Sequence, residues 1–186
     1  MTPQLWVFAG PNGAGKTTIV DRYVSGRIPV VNPDAIARSF PGVGSEAERL
    51  LRAGRIAVAE RSRLLGERRT FAIETTLTGH SELDLMRSAK TAGFKVTLVY
   101  IGLQSVGHSI GRVRVRVEEG GHNVPLPDLL RRFGRSLANL TIAADLADRV
   151  ILIDNSAKRR RFLLSRENGR VKYSAAQLPA WVEPIR

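Results

Sequence analysis

Gly10-Pro11-Asn12-Gly13-Ala14-Gly15-Lys16-Thr17 completes the pattern G-x-x-x-x-G-K-[ST], and its flanks decide how it folds. Before it runs Leu5-Trp6-Val7-Phe8-Ala9, an apolar stretch of strand length. After it, Thr18-Ile19-Val20-Asp21-Arg22-Tyr23-Val24 has helical spacing. Strand, glycine loop and helix in that order distinguish a phosphate-binding loop from a chance match. Gly10, Gly13 and Gly15 let the backbone turn back on itself and approach a phosphate. The amides of Pro11–Thr18 that remain point inward as an anion nest, Asn12 and Ala14 included, at the positive end of the following helix. Lys16 then faces the β- and γ-phosphates of ATP or GTP, and the Thr17 hydroxyl faces Mg2+.

The chain has 186 residues, the length of one domain with a core of ordinary size. Hydrophobic residues make up 43% and charged residues 25%, the balance of a globular protein. No apolar run is long enough for a membrane span, and the N-terminus lacks the pattern of a signal peptide, so a cytoplasmic location is expected. With no cysteine, disulfides and thiolate metal sites are excluded. Lys and Arg number 29 against 17 Asp and Glu, a net charge of +12 that attracts polyanions. Nucleotides, phosphorylated sugars, nucleic acid and an acidic protein all fit that charge. Lys158-Arg159-Arg160-Arg161 is the longest basic run, and no aromatic residue interleaves it, which argues against a stacking platform for single strands.

Strands and helices alternate along the chain. Pro29-Val30-Val31-Asn32 reads as a short buried strand, and residues 34–39 as a turn or two of helix. Pro41-Gly42-Val43-Gly44 breaks the chain. Ser45 with Glu48 makes a capping box for a helix to about Gly66, with Ala47, Leu50, Leu51, Gly54, Val58 and Leu65 on or near its packed face. Residues 70–75 form a strand, 81–92 a helix ended by Gly93, and 95–101 and 149–154 two β-branched strands of a parallel sheet. Arg161-Phe162-Leu163-Leu164, Asn168-Gly169 and Val171-Lys172-Tyr173 suggest a hairpin with a loop longer than two residues. The alternation Arg112-Val113-Arg114-Val115-Arg116-Val117 favours a strand, yet Gly120-Gly121 caps a helix begun near Ser105, and helix is the reading adopted. Arg112 and Arg116 then share one helical face and both reach one phosphate group. A further helix covers residues 126–146, and residues 120–125 form a hinge between arginine-bearing helices, as in a flap that closes on a γ-phosphate.

Together these pieces make one pattern: the phosphate loop with Thr18, then Asn32-Pro33-Asp34, Glu74-Thr75-Thr76-Leu77 and Ser109-x-x-Arg112-Val113-x-x-Arg116. Gly120-Gly121-His122-x-Val124-Pro125, Arg131-Arg132, Ser136-x-x-Asn139 and Asp154-Asn155 complete it. Over roughly residues 4–155 the chain resembles the zeta toxin family of P-loop kinases, in particular its short members. The resemblance implies a three-layer α/β kinase fold with a mainly parallel sheet, an arginine-bearing helical lid over about residues 105–140 and a single domain over residues 1–186, its hairpin at about 160–175. It implies a phosphotransferase, since studied toxin members phosphorylate the 3′-hydroxyl of UDP-N-acetylglucosamine. By the same resemblance Lys16 and Thr17 serve ATP and Mg2+, Asp34 is the base at the sugar hydroxyl, and Asn32, Glu74, Thr75 and Thr76 belong to the substrate side. Arg116 and one of Arg131 or Arg132 are the lid arginines, beside Arg112 at the nucleotide.

The residues support some of these roles without the resemblance. A hydroxyl attacking a γ-phosphate needs an oriented carboxylate at a strand end near the phosphate loop, and Asp34 follows a strand. Asp34 also reads as a helix N-cap after Asn32-Pro33. Glu74 ends a strand at the ligand-facing edge of an open sheet, as a substrate group, a carboxylate behind Mg2+ or an isolated edge residue. His122 reads as a loop hydrogen-bonder, and Asp154 as a turn cap rather than a metal ligand. Two readings stand beside the sugar-nucleotide kinase. One is a kinase for another hydroxyl, on a nucleoside or a nucleic-acid end; the other is a nucleotide-gated protein that binds RNA or an acidic antitoxin.

Overall fold

The computed structural model describes residues 2–40, 44–120 and 124–185. Pro41-Gly42-Val43 of the expected break and Gly121-His122-Asn123 of the expected hinge, with the role read for His122, lie outside the described residues. Among the described residues seven strands form one sheet: β1 (Gln4–Ala9), β2 (Val30–Val31), β3 (Phe71–Thr75), β4 (Lys95–Gly102), β5 (Arg149–Asp154), β6 (Arg161–Glu167) and β7 (Arg170–Ser174). Six α-helices among the described residues accompany them: α1 (Lys16–Tyr23), α2 (Pro33–Arg38), α3 (Glu46–Gly66), α4 (Ser81–Thr91), α5 (Val106–Glu118) and α6 (Leu126–Leu146). The strand order is β2-β3-β1-β4-β5-β6-β7, parallel from β2 to β5, with β6 and β7 antiparallel.

Alternation along the central strands builds the layers. Leu5, Val7 and Ala9 of β1 face one core with Val96, Leu98 and Tyr100 of β4. On that side lie Ala57 and Leu64 of α3, Leu83 and Met86 of α4, and Leu140 and Ala143 of α6. Phe8 and Val99 face the opposite core, where α1 contributes Ile19 and Val20. Side chains of period two therefore feed two cores on the two faces of one sheet. The order reverses at β1, whose neighbours are β3 and β4, and such switch points are where open α/β sheets bind ligands.

The packed face of α3 and the hairpin loop differ from expectation, while the capping box and the helix over residues 112–117 are as expected. On α3 the packed face is Ala53, Ala57, Arg61 and Leu64, while Leu51 and Val58 are 59% and 55% exposed. Alanines at i and i+4 let the helix approach closely, and that contact, rather than the count of large apolar residues, set the face. The Ser45–Glu48 capping box is formed at its N-terminus. The hairpin strands are longer than expected, so only Asn168-Gly169 separates them, both with positive φ (49° and 75°), as a two-residue turn of type I′ requires. The arginine–valine alternation is helical: Val113 is buried and Val117 partly buried against Val124 and Leu129, whereas Val115 is exposed. Positions 113 and 117 share a helical face, and 115 does not.

Candidate active site

The phosphate loop is held in shape from three directions. Gly10 has φ +146°, and a Cβ there would come 2.1 Å from the Ile101 carbonyl oxygen, so no side chain fits between β1 and β4. Ser109 Oγ, on α5, donates to the Asn12 carbonyl at 2.6 Å. Asn155 Nδ2, just past β5, donates to the Ala14 carbonyl at 2.8 Å. Arg112 Nη1 donates to the Gly13 carbonyl at 3.3 Å and Nη2 to the Ser156 carbonyl at 3.5 Å. Within the loop the Ala14 amide donates to the Pro11 carbonyl at 3.2 Å, which corrects its reading as part of the inward nest.

Lys16 opens α1 and is only 8% exposed; its Nζ donates to the Gly10 and Pro11 carbonyls at 2.9 and 3.0 Å. Burial pushes the Lys16 ammonium down to about 8, against the opposing pull of Glu74 and Asp34, while Arg116 adds to the lowering.

Glu74 at the end of β3 connects three elements. One carboxylate oxygen accepts from Thr17 Oγ1 at 2.7 Å, and the other accepts from Asn32 Nδ2 at 2.7 Å. Asn32 Oδ1 in turn accepts from the backbone amides of Asp34 and Ala35 at 2.9 and 3.3 Å, so Asn32 is the N-cap of α2, with Pro33 in its first turn. This corrects the reading of Asp34 as the cap. Asp34 is one of the capped residues, and its carboxylate lines the cavity instead.

A polar cavity of about 430 Å3 lies over the loop. Its walls bring together Asn12, Gly13, Gly15, Lys16, Thr17 and Thr18 with Asn32, Asp34, Glu74, Thr75, Thr76, Arg112, Arg116 and Arg132. Gly10, Pro11 and Ala14 stand behind it, with their carbonyls turned to Lys16 and Asn155. Arg131 does not line it. Its Nη2 pairs with Asp128 at 2.7 Å and its side chain is 55% exposed, one helical position away from the inward Arg132. Thr75 Oγ1 accepts from the Leu77 amide at 2.9 Å, and Asn139 Nδ2 donates to the Leu77 carbonyl at 3.0 Å, so α6 steadies the turn after β3. Asp154 accepts from the backbone and hydroxyl of Ser156, which makes it a turn residue.

Sequence reasoning missed Arg38, Arg61 and Glu82, all on the cavity wall. Nothing in the sequence separates Arg61 from the other arginines of its helix. Ser109 and Asn155 stood in the motif, but their grip on the loop needed the folded chain. Six cations and three carboxylates line the cavity. This surplus, next to a nest of amides, suits a polyphosphate. Mg2+ chemistry fits the Thr17 hydroxyl backed by a carboxylate.

The AAA domain family (AAA_33) matches residues 5–133. An uncharacterized protein of Haemophilus influenzae is 33% identical over 128 residues, 64% of this chain and 89% of that protein. The crystal structure of AvrRxo1-ORF1:-ORF2 with ATP superposes at a TM-score of 0.73 with 21% identity, covering 92% of this chain and 60% of that one. This chain thus spans less than two thirds of that structure's length. The PezAT chromosomal toxin-antitoxin system of Streptococcus pneumoniae superposes at 0.62 with 19% identity, covering 86% of this chain and 71% of that one. At such identities the likeness concerns the fold alone, an α/β domain built on a mostly parallel sheet.

Proposed function

The chain belongs to the AAA_33 family of AAA domains, and on that footing we propose that it is an ATP-dependent kinase of a small hydroxyl acceptor, UDP-N-acetylglucosamine or a related sugar nucleotide. One observation carries this reading. The linked side chains of Thr17, Glu74 and Asn32 run from the phosphate loop to the helix that presents Asp34 on the same cavity wall. A kinase needs a nucleotide cradle and a carboxylate base at a set distance from one another, and this chain of contacts provides the spacer.

In this reading the loop amides and Lys16 hold the nucleotide's β- and γ-phosphates. Thr17 holds Mg2+, which when bound neutralises developing charge on the phosphate oxygens. Asp34 accepts the proton of the acceptor hydroxyl as its oxygen bonds to the γ-phosphorus and the bond to the ADP oxygen breaks. Arg116 and Arg132 bring planar donor forks to the transferring group from the helical lid of α5 and α6, while Arg112, bonded to the Gly13 and Ser156 carbonyls, braces the loop around the nucleotide. Asn32 and Glu74 position Thr17 and Asp34, and Thr75 and Thr76 face the acceptor.

The test is mass spectrometry of products after incubation with ATP, Mg2+ and a panel of UDP-sugars, nucleosides and oligonucleotides with free 5′-hydroxyls. A UDP-sugar heavier by one phosphoryl group is the expected product. Transfer only to a nucleoside or an oligonucleotide replaces the acceptor, and salt-sensitive RNA binding without transfer, unchanged in Asp34→Asn, replaces the kinase reading with that of a nucleotide-gated binder.

A further inference from the structure

We propose that Arg61 forms an anion-binding subsite for the acceptor, so that the hydroxyl compound phosphorylated here also carries a phosphate or carboxylate. The inference rests on the kinase reading above and assigns the residue that recognises the acceptor's negative charge. Arg61 is 6% exposed on α3 and lines the cavity that holds Lys16, Asp34 and Thr76. Its Nη1 donates to Glu82 Oε1 at 3.4 Å, long for a bond between full charges. Its Nε is buried without a partner among the described residues. A buried Nε–H left unpaired is uncommon, because buried polar groups are nearly always paired. The geometry matches a planar anion that takes up the remaining donors.

The sheet order says which substrate reaches it. Asp34 follows β2 and Glu74 ends β3, on one side of the phosphate loop, while α5 and Asn155 follow β4 and β5 on the other. Arg112 sits on the second side, bonded to the loop. Arg61 belongs to the first: α3 packs on α2, and Glu82 opens α4 just after the turn that follows β3. Arg38 of α2 adds another cation on that side of the cavity. A group bound at Arg61 therefore comes with the molecule facing Asp34, not with the nucleotide in the loop.

The experiment is equilibrium binding with the loop filled by Mg2+ and β,γ-imido-ATP. The probes are N-acetylglucosamine, N-acetylglucosamine 1-phosphate and glucuronate. The wild type should bind a charged sugar at least about tenfold more tightly than the neutral one, the scale of one charge-assisted hydrogen bond. Which charged sugar wins separates phosphate from carboxylate. Arg61→Gln should erase the preference and leave affinity for the nucleotide analogue unchanged; Arg61→Lys, which keeps charge and bulk, should retain part of it. Glu82→Gln, which removes the competing carboxylate, should tighten the charged sugar. Equal binding of neutral and charged sugars, no binding of either charged sugar, or an intact preference in both Arg61→Gln and Arg61→Lys overturns the subsite. A charged preference without any phosphorylated product from ATP leaves the subsite standing and overturns the kinase reading instead.

Discussion

Thr17 Oγ1 donates to Glu74 Oε1 at 2.7 Å, which ties the first turn of the helix after the phosphate loop to the end of the neighbouring strand β3. The same carboxylate holds Asn32, the cap of the helix that carries Asp34. One side chain thereby sets both the proposed Mg2+ hydroxyl and the proposed base. Glu74→Ala should lower kcat by about 10- to 100-fold, the usual effect of losing a partner behind a metal ligand. The apparent Mg2+ requirement should rise with it. Steady-state kinetics across Mg2+ concentrations measures both, and an unchanged Mg2+ dependence would count against the link.

Lys16 gives a pH dependence. Its ammonium is lowered to about 8 by burial, so in the free protein it loses its proton as pH rises through that value. The neutral amine no longer balances phosphate charge, and kcat/KM for ATP should fall above pH 8. Bound phosphates favour the ammonium, so the matching limb of kcat should lie at higher pH. Stability has the opposite sign. Between about 8 and the ordinary value of 10.5 the unfolded chain holds more protons at this position, so this site stabilises the fold progressively as pH rises. Lys16→Ala should abolish turnover, and its stability should lack this rise.

Asp34 lines the cavity while Asn32 performs the capping. Asp34→Asn should therefore leave the melting temperature and ATP binding close to wild type and cut phosphoryl transfer by roughly 10²-fold or more, the scale of a lost general base. Calorimetry beside product formation separates the two. A wild-type rate in Asp34→Asn would remove it from the chemistry.

Arg132 lines the cavity, whereas its neighbour Arg131 pairs with Asp128 at the surface. Arg132→Ala should lower kcat by on the order of 10²–10³ with little change in KM for ATP, as for other donors to developing charge. Arg131→Ala should stay within about twofold, because exposed ion pairs contribute little. If both variants behave alike, or if only KM moves, the lid arginines act in ground-state binding.

Gly10→Ala tests the loop's packing without touching a charge. Its Cβ would lie 2.1 Å from the Ile101 carbonyl oxygen, which belongs to the central strand β4, so backbone must shift to admit it. The expected loss is about 2–4 kcal/mol of stability, the range of overpacking combined with backbone strain. Chemical denaturation reads it, and a wild-type midpoint would mean that the two strands can part locally.

What the sequence determined on its own was local. A strand, three glycines and a helix start lie within some twenty residues, so the phosphate loop depends on neighbours along the chain and is legible there. The capping box at Ser45 and the ends of the strand-forming runs are legible for the same reason. The tertiary structure decided which face each helix presents and which side chains meet. Ala53 and Ala57, rather than Leu51 and Val58, are buried on α3, because the fit of one surface against another chose them. That choice turned Arg61 into the cavity, and a single helical step turned Arg132 inward and Arg131 outward. Asn32 became the cap in place of Asp34 by a contact two residues away, yet its bond to Glu74 spans 42 positions. Side chains of one type along a helix are equivalent until packing distinguishes them, and packing energy comes from residues distant in sequence.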